Sequence, residues 1–186
     1  VVVRIKKEMK KEGGNMAEMR RDIDFDDDLY DDEDTQKDKY LTFFMAGEDY
    51  GIDIVYVTEI IGIQKITEVP DMPVFIKGVI NLRGKVIPIM DVRLRFNMEE
   101  RAYDERTCII VVDINGTAVG LVVDEVREVA DIPEAQVEPP PQTGKGRSSR
   151  YLKGMGKVDG DVKILLNAEN LLYDEELEKL EAMSES

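Results

Sequence analysis

The 186 residues include no histidine, which rules out Ser-His-Asp and Cys-His nucleophiles, His-ligated metals and any phosphohistidine role. The lone cysteine, Cys108, stands in an apolar run, reads as a buried strand residue and excludes an intramolecular disulfide. Acid–base chemistry would fall to the carboxylates Asp53, Asp91 or Asp124, and nothing in their spacing brings two of them together. No catalytic group, metal or cofactor is expected. The chain carries 40 acidic and 25 basic residues, a net charge of −15, which disfavours phosphate backbones and anionic lipid. Nucleic-acid binding and direct membrane insertion are therefore not expected, and no apolar run reaches the roughly 20 residues a bilayer demands.

The elements that must position any remaining chemistry are strands. Val, Ile, Thr and aromatic residues fill short runs separated by turn residues. Tyr40–Met45, Tyr50–Ile54, Ile76–Leu82, Lys85–Met90, Thr107–Val112, Thr117–Val123, Tyr151–Val158 and Val162–Leu166 read as strands. Gly47-Glu48-Asp49, Arg83-Gly84, Asn115-Gly116 and Asp159-Gly160 read as hairpin turns. Prolines 70, 73 and 139–141 mark loops, and 143–150 (TGKGRSSR) reads as a mobile polar stretch. One amphipathic helix is expected from Asp174 to Met183, with Leu177, Leu180 and Met183 on one face. Residues 1–38 differ from the rest: Asp22 to Asp38 is dominated by acids and reads as a disordered tail. Within it, residues 1–15 read as translated leader before a start at Met16.

The chain also repeats itself. FIKGVINLRGKVIPIMDV from Phe75 aligns without gaps to YLKGMGKVDGDVKILLNA from Tyr151, matching Lys77 with Lys153, Gly78 with Gly154 and Gly84 with Gly160. YGIDIVYVTEI from Tyr50 aligns with VGLVVDEVREV from Val119, matching Gly51 with Gly120 and Glu59 with Glu128. Two copies of a four- or five-stranded unit suggest two small closed barrels, which leave no free sheet edge. The expected division is 39–106 for the first barrel half, 107–172 for the second, and 173–186 for the C-terminal helix and tail. Within this frame Arg83 is conspicuous, because its counterpart at the other hairpin tip is Asp159. An aspartate at that tip suggests that Arg83→Asp leaves the fold intact.

Lys77-Gly78, Asn81-Leu82-Arg83-Gly84, Pro88 and Asp91 resemble the signature of CheW-like domains. Tyr50–Ile54 with Glu59-Ile60 resembles that family's opening, and Tyr151–Gly154 with Ile164–Asn167 its close, so the resemblance spans about 39–183. It implies a mainly β fold: two SH3-like five-stranded barrels related by the internal repeat, with short helices and a C-terminal helix. It implies a non-enzymatic chemotaxis adaptor, cytoplasmic at membrane-associated receptor arrays. The partners implied are chemoreceptor cytoplasmic tips and the regulatory domain of the histidine kinase CheA, with weak self-association at most. Without a histidine-bearing domain or a receiver domain, the expectation is the stand-alone adaptor and not CheA or CheV. A small β-barrel ligand-binding domain or enzyme is the alternative. The coupling residues implied are Val57, Glu59, Ile60, Gly78, Asn81 and Arg83. Of these, Val57 reads equally as core, and Gly78 as a position where another strand passes close.

Overall fold

The computed structural model describes residues 36–141 and 150–172. The expected 174–183 helix, nearly all of the acidic tail and most of the 143–150 stretch lie outside them. Among the described residues eleven strands form: β1 Lys39–Met45, β2 Glu48–Asp53, β3 Val57–Gly62, β4 Ile76–Leu82, β5 Lys85–Asp91, β6 Cys108–Ile114, β7 Thr117–Val123, β8 Glu125–Asp131, β9 Val137–Glu138, β10 Leu152–Val158 and β11 Asp161–Leu166. Two four-residue helices follow β5 and β11: α1 Val92–Arg95 and α2 Ala168–Leu171. Each is capped alike, by Asp91 accepting from Leu94 N–H and by Asn167 accepting from Asn170 N–H.

The repeat is written into the elements. Lys39 of β1 and Cys108 of β6 stand 69 residues apart, and both strands are seven residues long. Ile76 of β4 and Leu152 of β10 stand 76 apart, again with equal lengths. The expected two-residue turns form at Arg83-Gly84 (φ 52° and 86°), Asp159-Gly160 (50° and 88°) and Asn115-Gly116 (53° and 87°). The β1–β2 turn is Ala46-Gly47, while Glu48 and Asp49 belong to the strand that follows. Sequence reading passed over β3, β8 and β9. β8 is polar and mostly exposed, so it shows no apolar alternation.

The two halves of the chain do not each make a barrel. One sheet runs β3-β6-β7-β5-β4 (barrel A) and the other β8-β1-β2-β11-β10-β9 (barrel B). Each barrel takes two strands from one repeat and the later strands from the other, so the division at 106/107 is corrected. The exchange is made by parallel pairs: Ile89 lies beside Gly120 in barrel A, and its counterpart Leu165 beside Gly51 in barrel B. The matched glycines are explained here, since a Cβ on Gly120 would meet Ile89 at 2.5 Å and one on Gly51 would meet Leu165 at 2.9 Å. Three apolar clusters result. Ile61, Ile80, Ile87, Ile89, Ile109 and Val111 fill barrel A, and Tyr40, Ile132 and Leu165 fill barrel B. The largest cluster, with Phe43, Ile52, Val57, Ile110, Val112 and Leu121, draws on both sheets and joins them.

Candidate functional site

The candidate residues gather around the third strand and the β4–β5 hairpin of barrel A, but only some reach the surface. A bulge between Val57 and Glu59 shifts the register of β3 against β6. It puts Val57 and Ile60 on the shared-core side, while Ile61 joins the core of barrel A. Val57 is fully buried, so packing accounts for it. Glu59 is left buried, at 7% exposure, with Arg83 Nη2 donating to its Oε1. The hairpin tip holds Arg83 in place. Asn81 Oδ1 accepts from Gly84 N–H at 2.8 Å, and the positive φ of Arg83 turns its side chain back toward β3. About half of the Arg83 side chain stays exposed, and Nη2 makes the one side-chain bond recorded for it. The tip thus presents a half-exposed guanidinium anchored by a buried carboxylate. Lys85 and Val86, both exposed, extend this surface.

Gly78 lies apart from that surface and acts within the barrel. The chain after β3 returns so that Thr67 bridges Val79, with N–H···O bonds of 2.8 and 2.9 Å, and this closes the free edge of β4. Gly78 adopts φ 137°, and a Cβ there would lie 2.1 Å from Thr67 O. The same device closes barrel B, where β9 pairs with β10 and a Cβ on Gly154 would meet Glu138 O at 2.7 Å.

With this geometry in place, comparison with known proteins is decisive. The family model for the CheW-like domain matches residues 39–176. The chain belongs to the CheW-like family. It is 37% identical over 153 residues to Chemotaxis protein CheW of Klebsiella aerogenes, covering 82% of this chain and 92% of that protein. It is 37% identical over 139 residues to Chemotaxis protein CheW of Bacillus subtilis, covering 75% and 88%. The crystal structure of the scaffolding protein TtCheW from Thermoanaerobacter tengcongensis superposes with a TM-score of 0.68 at 38% identity, covering 73% of this chain and 92% of that one. The two SH3-like barrels are thus the CheW-like fold.

A second cluster in this CheW-like chain escaped sequence reading, because its members come from separate elements. Asp91 and Asp124, which nothing in their sequence spacing brought together, line one small cavity with Arg93, Arg101, Tyr103 and Thr107. Asp124 accepts a two-pronged bond from Arg93, at 2.8 and 2.5 Å, and a bond from Ala46 N–H at 3.2 Å. Arg101 adds an ion pair at 3.3 Å. Burial pushes the Asp124 carboxyl upward, but Arg93 and the Ala46 N–H outweigh it and hold the group below its ordinary value of 3.8. Tyr103 donates to Asp91 at 2.8 Å, and burial together with that bond pushes its phenol above the usual range. Each carboxylate is held by fixed donors, so the cluster acts as a clamp between elements. It ties the segment joining the two repeats to α1 and to the β7–β8 junction. Among the described residues, no group of carboxylates and cysteine is placed to hold a metal, and no helix is long and apolar enough to cross a membrane.

Proposed function

We propose that this protein is a chemotaxis scaffold that couples chemoreceptor cytoplasmic tips to the regulatory domain of the histidine kinase CheA. The place of action is the cytoplasmic side of a membrane-associated receptor array. The reading rests on one observation above the others: within a CheW-like domain, the β4–β5 hairpin displays Arg83 locked against a buried Glu59. A fixed planar donor fork at an exposed turn suits carboxylates and helix ends on a protein partner. Glu59, Asn81 and Arg83 form the contact region in this reading. Val57, Ile60 and Gly78 act behind it by holding β3 and the barrel edge in place.

Reconstitution tests this directly. Purified protein is combined with a CheA kinase and a receptor cytoplasmic fragment, and phosphorylation of the kinase is followed. Kinase activation should depend on the protein, and Arg83→Gln, which keeps a polar turn residue, should lower the activation at least tenfold with circular dichroism unchanged. Activation that is independent of the protein would overturn the scaffold reading. Full activation by a folded Arg83→Gln protein would remove the hairpin tip from the contact.

A further inference from the structure

The two repeats are dressed differently. In barrel A the chain fills its own flank. Tyr103, Ile63 and Ile66 pack on the core of barrel A, Arg101 pairs with Asp124 at 3.3 Å, and Lys77 holds Glu100 at 2.6 Å. The cavity left there, floored by Thr107, Val122 and Asp124, is only about 10 Å³. The repeat maps these three floor residues to Asp38, Asp53 and Val55, and Lys77 to Lys153. All four counterparts line one open groove in barrel B. Its volume is about 480 Å³, in the size range of ligand sites. Val55 is 46% exposed where Asp124 is 8% exposed.

The walls of this groove define what fits it. Val55, Val137 and Pro139 are apolar, and Tyr40 lies beneath Lys153, whose ammonium is 5.0 Å from the ring centre. The charges are Asp38, Asp53, Glu134 and Glu138 against Lys37 and Lys153, so carboxylates are in excess. Lys153 donates to both oxygens of Asp53, at 2.9 and 3.0 Å, and Glu138 pairs with Lys157. The carboxylates of Asp38 and Glu134 make no hydrogen bond or ion pair among the described residues. In barrel A the carboxylate that receives Arg101 is Asp124; at the same place barrel B has the exposed Val55, and its two unpaired carboxylates stand elsewhere along the groove.

We propose that this groove docks a segment of a partner protein in which an aromatic ring is flanked by lysine or arginine. The ring lies against Val55 and Val137, in the place that Tyr103 takes on barrel A, and the cations pair with Asp38 and Glu134. The apolar walls and the repeat select the aromatic residue. The carboxylate excess selects basic flanks over the acidic ones that Glu100 and Asp104 give Tyr103 in barrel A. Glu59, Asn81 and Arg83 belong to barrel A, so this contact is separate from theirs.

The test is titration of the full chain with the peptide acetyl-Arg-Ala-Tyr-Arg-amide, followed by amide NMR. The peptide should saturably shift the amides of Asp53–Val55 and Val137–Glu138 and leave those of Val122–Asp124 in place. Replacing both of its arginines with glutamate, or its tyrosine with alanine, should weaken binding by about tenfold or more. Glu134→Lys, at an exposed position, should weaken binding to a similar degree, and raising salt from about 0.05 M to about 0.5 M should weaken it as well. Any of four results would overturn the proposal: no saturable shift around the groove, an acidic or alanine peptide that binds as tightly, a Glu134→Lys protein that binds like wild type, or groove amides that shift when the protein alone is concentrated, which would assign the groove to a second copy.

Discussion

Among the described residues, Glu59 Oε2 is the one buried side-chain oxygen without a hydrogen-bond partner. Its other oxygen depends on Arg83, so the pair matters to stability as well as to contact. This revises the expectation that Arg83→Asp leaves the fold untouched. Asp159 is tolerated at the equivalent tip because the residue that corresponds to Glu59 there, Glu128, is exposed to water. Arg83→Asp in barrel A would set a second carboxylate against a buried one, and should cost about 2–3 kcal/mol in urea unfolding. Adding Glu59→Gln should recover most of that loss; an Arg83→Asp midpoint equal to wild type would show that the pair carries no stability. Asp124 makes a second prediction at this scale. Its carboxyl is held below the ordinary value in the folded state, so its stabilisation is present above about pH 4 and is lost as pH falls through the folded value. Asp124→Asn should cost about 3 kcal/mol at pH 7, with the gap from wild type narrowing in unfolding curves taken from pH 5 down to pH 2. A gap constant over that range would argue against a charged clamp.

At the scale of elements, β4 and its repeat counterpart β10 each need a glycine because the returning chain crosses them. The two sites differ in severity. Gly78 combines φ 137° with Thr67 O at 2.1 Å from its would-be Cβ, whereas Gly154 faces Glu138 O at 2.7 Å and Val137 Cγ1 at 2.6 Å without a positive φ. Gly78→Ala must therefore break the Thr67–Val79 bridge and open the edge of barrel A, at a cost of roughly 3 kcal/mol or more. Gly154→Ala should cost distinctly less, since the Val137 side chain and the two-residue β9 can shift. Thermal midpoints of the two variants, compared with wild type, decide the order. Equal midpoints would mean that the positive φ adds no strain. The two hairpins were legible in sequence because each carries its own turn chemistry. β3 was not, because the bulge between Val57 and Glu59 breaks the period-two pattern that reveals a strand, so Val57, Ile60 and Ile61 do not alternate with polar residues.

Over the whole molecule, the strand exchange makes the two repeats interdependent. β1 and β2 lie in barrel B with β8–β11, while β6 and β7 lie in barrel A with β3–β5. A chain ending near residue 100 would have β3–β5 without their parallel partner β7, and β1–β2 without β11. Neither repeat alone should show dispersed amide resonances, whereas the two refolded together, cut within 97–107, should recover the native spectrum. A folded lone repeat would contradict the exchange. Residue types and local spacing determined the hairpins with their Gly turns and the absence of His chemistry, and comparing the chain with itself gave the duplication, down to Lys77 matching Lys153. The resemblance they carry sufficed for the family. Tertiary structure alone decided which repeat donates which strand, since a parallel partner such as Gly120 beside Ile89 is chosen by packing between distant segments and leaves no trace in local pattern. It also decided that Glu59 is buried while its match Glu128 is not, and that Asp91 and Asp124 line one cavity. Burial and proximity are properties of the closed barrels, and identical residue types at equivalent repeat positions take different roles once different neighbours cover them.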